Sequence, residues 1–405
     1  MAPSAVVGTS SSMRVNVMGG CGHVGLPLAI SFAVAGHQVC IYDINDAAIE
    51  KVRRGVMPFR EEGAEELLKT ALASGRLTLS NSPASMSEAD AVIMIIGTPV
   101  DEHLNPQFAG IKRAIDEIYE HLRDGQLLVL RSTVYPGTSE KIQNLIRARG
   151  RNVHVSFCPE RIAEGKAISE LRELPQIVSG FSSEGIERAT ALFGCLTDEI
   201  IHLQPMEAEL AKLFNNVHRY IKFSIANQFY EIANDYGLDF YRIHHAMTYK
   251  YPRSADFPRP GFAAGPCLFK DTMQLAAFNN NNFFLGHAAM LVNEGMPNYV
   301  VQRLRARFNL NAMNVGILGM SFKADCDDKR ESLSYKIRKI LMMEAASVLC
   351  SDPFIKEQGF VGPEELVERS DVIVLATPHS SYRQLDTKGK PVADVWNFYK
   401  KGGLV

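Results

Sequence analysis

Residues 14–43 read RVNVMGGCGHVGLPLAISFAVAGHQVCIYD, and this stretch decides the fold. Its first apolar run predicts a buried strand at residues 14–18, and the apolar stretch after the glycines predicts a helix over residues 24–35. A second strand is predicted at residues 38–42. The order of strand, glycine turn, helix and strand is typical of a βαβ unit in a parallel sheet.

The glycines between the first strand and its helix have the spacing GxGxxG, at Gly20, Gly22 and Gly25. Glycine is needed where this turn is tight and where backbone approaches a pyrophosphate, which the helix N-terminus then binds through its N–H groups. Asp43 ends the second strand, where a carboxylate accepts hydrogen bonds from a ribose 2′-OH and repels a 2′-phosphate. The motif predicts an NAD site rather than an NADP site. A glycine turn in an unrelated sheet is the alternative.

Further along the chain, apolar runs at residues 89–96 and 127–130 predict two more strands. Residues 206–235 contain no Pro or Gly and predict one helix about 45 Å long, which Gly237 would end. Such a helix suits a connector between domains that also serves as a subunit interface. Its apolar stripe is predicted at Leu210, Leu213, Phe214, Val217 and Ile221.

The last third of the chain repeats the pattern of the first, with predicted strands within residues 314–320, 347–353 and 370–378. We therefore predict an α/β protein in which a long central helix joins two Rossmann-like domains with parallel sheets. The predicted boundaries are 13–204 for an NAD-binding domain, 205–298 for a helical central and dimerisation domain, and 299–405 for a second nucleotide-binding domain.

The turn that corresponds to the glycine loop in this second Rossmann-like domain reads GMSFK at residues 319–323 and lacks GxGxxG. A second dinucleotide site is therefore not expected. Phe322 and Lys323 could hold the base and phosphate of a different nucleotide. The alternative is a lysine on a solvated loop.

Composition excludes several classes of protein. The 405 residues are 46% apolar and 22% charged, with a net charge of −2, which is typical of globular domains and gives no electrostatic footprint for nucleic acid. No apolar run approaches the length of a membrane span. Residues 1–12 read as a loose tail rather than a secretory signal. Seven scattered cysteines without a CxxC pair argue against a disulfide framework or a zinc site, and we predict a cytoplasmic protein with reduced thiols and no bound metal.

The motif GPCLFKD at residues 265–271 is unlike the surroundings of a core cysteine. Lys270 close to Cys267 would lower the pKa of the thiol, and the thiolate is the nucleophile. Asp271 lies four residues after the cysteine, on the same side of a helix start. Thiolate and carboxylate beside a nicotinamide suit covalent capture of an aldehyde. A buried, inert cysteine is the alternative.

Two other groups of polar residues carry possible chemistry. Lys212 and Asn216 lie four residues apart on the long helix, off its predicted apolar stripe, and a solvated polar face is the alternative. The segment PERIAEG at residues 159–165 sets two carboxylates around an arginine, and a surface loop is the alternative.

Taken together, these motifs resemble the nucleotide-sugar 6-dehydrogenases, the family of UDP-glucose and UDP-N-acetylhexosamine dehydrogenases. The resemblance runs from about residue 13 to about residue 400. Its landmarks follow the family's order: GCGHVGLPLA, GTPVDE, RSTVYPGT, CPERIAEGKA, AELAKLFNN, GPCLFKD, GMSFKADCDDKRES and SDVIVLATPH. It implies a homodimer or larger oligomer, NAD in the first domain and a UDP-sugar in the last. The implied reaction oxidises a primary alcohol to a carboxylate with two NAD⁺.

The resemblance also implies roles for single residues. Cys267 matches the nucleophile, Lys212 and Asn216 the groups that stabilise the alkoxide and oxyanions, and Asp271 the partner that moves protons through a water. Glu160 and Thr133 match the residues of the hydrolytic step. The implied cofactor contacts are Gly20, Gly22, His23, Val24, Gly25, Asp43, Thr98, Ser132, Thr133, Glu164 and Arg330. The implied substrate contacts are Glu160, Arg161, Ile162, Lys212, Asn216, Arg253, Phe262, Gly265, Phe322 and Lys323, with Arg253 donated by a neighbouring subunit.

The substrate sugar is the open point of the sequence. The cysteine loop reads GPCL, as in members that act on N-acetylated hexosamines, whereas Gly261-Phe262 retains part of the glucose-type loop GFGGSCF. We predict an N-acetylhexosamine, GlcNAc or ManNAc, with UDP-glucose as the alternative. Two further alternatives are a two-electron hydroxyacid dehydrogenase and a catalytically silent nucleotide-sugar sensor. The intact Cys267, Lys212 and Asp271 argue against the sensor.

Overall fold

The computed structural model describes residues 12–98, 100–101, 108–402 and 404, so the predicted N-terminal tail lies almost wholly outside the described residues. The chain forms two compact units, Met1–Phe214 and Asn215–Val405, and the boundary falls within one long helix. The three-domain division of the sequence stays a prediction. In the described part of the chain, no helix has the length and apolar composition needed to span a membrane.

The first unit is an eight-stranded sheet covered by helices. Its strands are β1 Arg14–Met18, β2 Gln38–Tyr42, β3 Leu77–Ser80, β4 Ala91–Met94, β5 Leu127–Leu130, β6 His154–Phe157, β7 Gln176–Gly180 and β8 Ile200–His202. Its helices are α1 Gly25–Val34, α2 Asp46–Arg53, α3 Ala64–Ala73, α4 Phe108–Ile118, α5 Thr138–Ala148, α6 Ala167–Glu173 and α7 Ser183–Phe193. The helix that crosses the unit boundary is α8, Pro205–Asp235.

The strand order of this sheet is β3-β2-β1-β4-β5-β6-β7-β8. Its first six strands follow the Rossmann order, in which the crevice between β1 and β4 is the binding site for a dinucleotide. The predicted Rossmann fold is confirmed. One pair of strands departs from the parallel arrangement: β6 and β7, neither of which was predicted from the sequence, pair antiparallel. The loop between them turns the chain back along the sheet.

Alternate residues of the central strands feed two separate cores. On β5, Leu127 and Val129 pack into the core that holds α1, whereas Leu128 and Leu130 pack into the core on the opposite face. Neighbouring side chains of a strand point to opposite faces, so a strand covered on both sides has to be apolar throughout. This explains the unbroken apolar runs in the sequence.

The second unit holds a four-stranded parallel sheet in the order β10-β9-β11-β12. These strands are β9 Asn314–Leu318, β10 Ser347–Ser351, β11 Val372–Leu375 and β12 Val392–Ala393. The helices of this unit, besides the end of α8, are α9 Phe240–Thr248, α10 Leu268–Phe278, α11 Phe284–Arg307, α12 Leu333–Glu344 and α13 Pro363–Arg369. The predicted second Rossmann-like sheet is therefore present.

Helix α8 has 31 residues and ends as the sequence predicts. Gly237 has φ +69, Leu238 N–H donates to the carbonyl of Ala233, and Gly237 N–H donates to that of Asn234. These two bonds form a Schellman motif, which satisfies carbonyls that a helix end otherwise leaves unpaired.

The predicted apolar stripe of α8 is only partly right. Leu213 and Val217 are buried, whereas Phe214 is 53% exposed. Asn216, which sequence reasoning placed off the apolar stripe, is buried at 6% exposure. The buried face of α8 therefore includes Asn216 and excludes Phe214, because the Asn216 amide has a buried polar partner within the second unit.

Candidate active site

The glycine loop after β1 has room for a ligand on one side only. A Cβ atom at Gly25 would lie 2.5 Å from the carbonyl oxygen of Gly19, and one at Gly20 would lie 2.7 Å from that of Val17. At Gly22 the nearest atom would be 3.6 Å away, so the loop is open there. Gly20 and Gly25 allow the helix to pack closely against the strand, and Gly22 leaves the backbone open to a phosphate.

Helix α1 begins at Gly25 without a side-chain cap and without an acidic residue in its first turn. Leu26 N–H donates to the carbonyl of Gly22 at 3.0 Å, and the positive end of the helix dipole is available to an anion. Asp43, half-buried at the end of β2, accepts a hydrogen bond from Cys21 N–H at 2.9 Å and one from Asn45 N–H at 3.0 Å. Asp43 therefore holds the glycine loop in place. Its carboxylate lies at the end of β2, where this fold binds a ribose of the dinucleotide. These residues fit NAD.

His23 and Val24 occupy the same loop, half-buried, and the His23 ring lies 4.0 Å from the ring of Phe59 between centroids. The ring of Phe59 thus packs against the imidazole, and the contact of His23 with the cofactor stays a prediction.

The loops that follow β4 and β5 are tied together by hydroxyl groups. Ser132 Oγ accepts from Ile96 N–H and donates to the carbonyl of Ile96, both at 2.8 Å. Thr98 Oγ1 donates to the carbonyl of Thr133 at 2.7 Å. The hydroxyls of Ser132 and Thr98 therefore set the shape of the site wall, while Thr133 is half-buried beside them. Their predicted contacts with cofactor and water stay predictions.

The loop at residues 159–165 follows β6, and around Glu160 it is not the solvent-exposed surface loop given as the alternative. That residue is 9% exposed, and its Oε1 accepts from Arg161 N–H at 2.6 Å and from Ile162 N–H at 2.9 Å. Its Oε2 forms an ion pair with Arg131, a residue that sequence reasoning did not single out. Burial lowers the pKa of the Arg161 guanidinium, which donates to the carbonyl of Pro175. Glu164 is half-buried on the same loop.

Lys212 is half-buried on α8. One turn earlier, Glu209 is 1% exposed and anchors the helix to the start of α5. Its carboxylate accepts from Gly137 N–H at 2.5 Å, from Ser139 N–H at 2.8 Å and from Ser139 Oγ at 2.6 Å. Glu209 thus fixes the part of α8 that carries Lys212 against the segment that follows Thr133.

Cys267 in the second unit stands immediately before the first residue of α10 and is exposed. A thiol at a helix N-terminus is a candidate for a reactive thiolate, since the helix dipole stabilises negative charge there. The buried cysteines differ, because burial raises the pKa of Cys158 to about 12 and that of Cys350 to about 11. Cys267 is therefore not buried, contrary to the alternative, and its role as a nucleophile stays a prediction.

Asp271 lies on the first turn of α10 and is fully buried. Its Oδ2 accepts from Asn216 Nδ2 at 2.6 Å, and its Oδ1 lies 3.0 Å from Lys270 Nζ. Its own N–H donates to the carbonyl of Cys267 at 2.9 Å. A buried carboxylate is stable only with such partners. The structure therefore brings Cys267, Asp271 and Asn216 together within one unit.

The loop before Cys267 packs against the second Rossmann-like sheet. Gly265 has φ +107, and a Cβ atom there would lie 2.7 Å from the ring of Phe322. Gly265 N–H donates to the carbonyl of Glu331 at 3.3 Å. Phe262 is buried with its ring centroid 6.4 Å from that of Trp396. The predicted sugar loop and the predicted nucleotide loop are thus neighbours.

Two buried asparagines support this loop, and neither was singled out from the sequence. Asn227 Oδ1 accepts from Gly261 N–H at 2.8 Å, and its Nδ2 donates to Asn293 Oδ1 at 2.9 Å. Asn293 Nδ2 donates to the carbonyl of Tyr220 at 3.0 Å. Both side chains are 0% exposed. The one sequence signal for them is a polar residue in the otherwise apolar face of its helix, α8 for Asn227 and α11 for Asn293.

We expect Gly265→Ala to destabilise the protein by about 2 kcal/mol, since alanine at this φ is strained and its methyl group meets Phe322. We also expect a higher KM for the nucleotide sugar that the resemblance implies, because Phe322 must move. Thermal unfolding and initial rates measure both. Gly295→Ala on α11 is the matched control, since a Cβ atom there meets nothing within 4 Å and alanine favours a helix. An unchanged melting temperature and KM in Gly265→Ala would contradict the packing described.

The loop at residues 319–323 is fixed without the GxGxxG pattern. Asp352, at the end of β10, accepts from Met320 N–H at 2.6 Å and from Ser321 N–H at 3.0 Å. Lys323 Nζ lies 5.6 Å from the centroid of the Phe322 ring, and both side chains are half-buried. The loop presents an aromatic face and a cation together, as a base and a phosphate require.

The remaining predicted contacts lie on exposed side chains. Arg253 is exposed in a short 3₁₀ turn beside Tyr251, to whose hydroxyl it donates at 3.2 Å. Arg330 is paired with the buried Asp328, with its Nε 2.7 Å from Oδ2. The roles of both arginines stay predictions.

Family models match three parts of the chain. The NAD-binding domain of the UDP-glucose/GDP-mannose dehydrogenase family matches residues 13–195, its central domain matches residues 206–294, and its UDP-binding domain matches residues 316–401. The chain belongs to the UDP-glucose/GDP-mannose dehydrogenase family. It is therefore an oxidoreductase, an NAD-dependent nucleotide-sugar dehydrogenase whose cofactor is NAD.

Relatives in this family match over nearly the whole chain. The UDP-N-acetyl-D-mannosamine dehydrogenase of Pyrococcus horikoshii is 30% identical over 387 residues, covering 92% of this chain and 91% of that protein. That of Methanocaldococcus jannaschii is 28% identical, covering 91% and 86%. The structure of a UDP-glucose dehydrogenase from Pyrobaculum islandicum superimposes with a TM-score of 0.89 at 28% identity, covering 96% and 95%.

Proposed function

We propose that this dehydrogenase oxidises C6 of a UDP-N-acetylhexosamine from the alcohol to the carboxylate through a covalent thioester on Cys267. The carrying observation is the exposed Cys267 at the start of α10 with the buried Asp271 one turn later. A nucleophile beside a positioned carboxylate is the arrangement that covalent catalysis requires.

The proposed reaction has two oxidations and one hydrolysis. NAD⁺, which the glycine loop and Asp43 would hold, would supply the hydride acceptor for both oxidations, one equivalent for each. The C6 hydroxyl loses its proton as the first hydride leaves, which gives the aldehyde. The Cys267 thiolate adds to that aldehyde, and loss of the second hydride from the thiohemiacetal gives the thioester. Water then adds to the carbonyl, the C–S bond breaks, the sulfur regains a proton, and the acid is released.

In this scheme the chain's own residues manage charge and protons. Lys212 supplies positive charge where an alkoxide or oxyanion develops, and the amide of Asn216 shares that task. Asp271 moves protons through a water, and its bond to Asn216 aligns the two groups. Glu160 and Thr133 hold the water of the hydrolytic step.

The N-acetylhexosamine is supported by the names of the relatives and by the GPCL loop. The relatives from Pyrococcus horikoshii and Methanocaldococcus jannaschii are UDP-N-acetyl-D-mannosamine dehydrogenases, so ManNAc is the preferred sugar. UDP-glucose is the second candidate, favoured by the superposition with the Pyrobaculum islandicum UDP-glucose dehydrogenase and by the buried Phe262.

The test of the substrate is a comparison of kcat/KM for UDP-N-acetylmannosamine, UDP-N-acetylglucosamine and UDP-glucose with saturating NAD⁺. We expect the acetamido sugars to lead by at least about tenfold, since a pocket built to hydrogen-bond an acetamido group discriminates strongly against its absence. Faster turnover of UDP-glucose would contradict the N-acetylhexosamine assignment and leave the thioester route standing.

We also propose that two chains pair through α8. Three apolar side chains are exposed on one stripe of that helix, Ile225, Phe229 and Ile232, at 40%, 41% and 51% exposure, and Tyr236, directly after its last residue, is 79% exposed. Contiguous apolar surface of this kind marks protein interfaces. Arg253 would then reach the site of the partner. Light scattering is expected to give at least twice the chain mass, and Ile232→Glu is expected to lower it. A monomeric unmodified protein would contradict the pairing.

A further inference from the structure

Arg131 is a buried cation whose ion-pair partner is a residue of the proposed site. It directly follows β5 and is 1% exposed, and its Nη2 pairs with Oε2 of Glu160. In the described part of the chain, Glu160 is the only carboxylate that forms an ion pair with Arg131. Burying a cation is costly, and an isolated buried ion pair adds little stability compared with an apolar pair. A role in the site explains this pair better than a role in stability.

The guanidinium of Arg131 is itself held in place. Its Nη1 donates to the carbonyl of Cys158 and to Oε1 of Gln176, both at 3.0 Å. Its Cζ lies 4.8 Å from the centroid of the Phe193 ring. These contacts come from the ends of two strands and from a helix. They hold the planar, fork-shaped guanidinium in one orientation, with its Nη2 directed at Glu160.

The Glu160 carboxylate is consequently fixed at both oxygens. Two backbone N–H groups bind Oε1, and Arg131 binds Oε2. A carboxylate has about four acceptor positions, so one on Oε2 remains for a water. The cavity beside the pair measures about 10 Å³ and is lined by Arg131, Glu160 and Gln176 among others. That volume admits about one water molecule beside the carboxylate.

We propose that Arg131 is a positioning residue for the hydrolytic step: it holds Glu160 in the orientation that directs water at the thioester. The inference rests on the proposed function, which gives Glu160 its part in hydrolysis. The same segment supports it, because Arg131 is followed by Ser132 and Thr133, and Glu160 N–H donates to the carbonyl of Arg131 at 3.3 Å. One short stretch of chain thus places both proposed water-holding groups.

The test is Arg131→Met, assayed with excess NAD⁺ by steady-state rates and by intact-protein mass spectrometry during turnover. We expect kcat to fall about 10²-fold, since small misplacement of a reacting group has that effect. We expect KM for the nucleotide sugar to change little and a covalent sugar adduct on Cys267 to accumulate. A general structural role would lower the rate without accumulating the adduct, and that outcome, or an unchanged kcat, would overturn the proposal.

Two further variants make the result specific. Arg131→Lys keeps the charge without the fork and is expected to accumulate less adduct, with a kcat between those of Arg131→Met and the unmodified enzyme. Should Arg131→Met not fold, Arg131→Lys decides, because hydrolysis at the original rate would contradict the role of the fork. Arg188→Met is the matched control, since that arginine also donates to backbone carbonyls, those of Gly125 and Asp90, and lies outside the proposed machinery.

Glu160→Gln separates this inference from the proposed function. If Glu160→Gln hydrolyses the thioester at the original rate, the role given to Glu160 is wrong. If Glu160→Gln accumulates adduct and Arg131→Met does not, only the positioning role of Arg131 is wrong.

Discussion

Replacement of Cys267 by serine is expected to lower acid formation by at least about 10³-fold. The serine hydroxyl is not ionised at neutral pH, and it cannot form a thioester. The fold is expected to be unchanged, since Cys267 is exposed and its side chain caps no helix N–H group. The measurement is the yield of sugar acid per sugar consumed, with the melting temperature recorded beside it.

Cys195→Ser is the matched control for the loss of a thiol. Cys195 is half-buried in the first unit, where its Sγ lies 3.1 Å from the carbonyl of Leu192, and it takes no part in the proposed chemistry. Acid formation at the original rate is expected in this variant. Full retention of acid formation in Cys267→Ser would show that no covalent thioester lies on the path.

Asp271→Asn is expected to lower kcat by about 10²- to 10⁴-fold, the usual range for removal of a group that transfers protons. The substitution keeps the size of the side chain and removes the charge that faces Lys270 at 3.0 Å. It also places two amides, Asn216 and the new one, side by side where an amide and a carboxylate were paired. A loss of stability of about 1–3 kcal/mol is expected as well, since buried charged hydrogen bonds are lost.

The control for Asp271→Asn is Asp256→Asn, which removes an exposed carboxylate that pairs with Lys222. Exposed ion pairs contribute about 0–1 kcal/mol, so neither rate nor stability is expected to change measurably. If Asp271→Asn retained the original kcat at every pH, the proton-transfer role of this carboxylate would be wrong.

Local patterns predicted the parts of the fold that local physics determines. The bounds of β1, β2 and β5 agree with the predicted strands, and α8 ends at the predicted glycine. The strand predicted at residues 89–96 is shorter, Ala91–Met94. The chain leaves the sheet there because the Ser132 hydroxyl takes both backbone groups of Ile96. That partner lies 36 residues away, so no local pattern reveals it.

The antiparallel pairing of β6 with β7 was missed for a similar reason. Strand direction depends on how the chain between β6 and β7 turns, and the contacts of its Glu160 loop include a pair with Arg131, which is distant in sequence. The apolar pattern of a strand reports burial and is the same in both directions.

The residues of the candidate site likewise divide into those that have a local sequence signal and those that do not. The glycine loop, Cys267 and Asp271 were predicted, because their spacing carries the chemistry. Asn216 was expected as a polar residue off the apolar stripe of α8 and is buried instead, since its partner Asp271 lies 55 residues away. Arg131 was missed because a single arginine between an apolar strand and a turn has no distinctive sequence signal. Both residues depend on contacts that only the folded chain brings together.

The central claim is a four-electron oxidation through a thioester, and the most direct test is the number of NADH formed per nucleotide sugar. A limiting amount of UDP-N-acetylmannosamine is converted to completion with excess NAD⁺, and NADH is read by absorbance. Two NADH per sugar, with the sugar acid as product, is the predicted result. One NADH per sugar, with the aldehyde as product, would contradict the thioester route and the role given to Cys267.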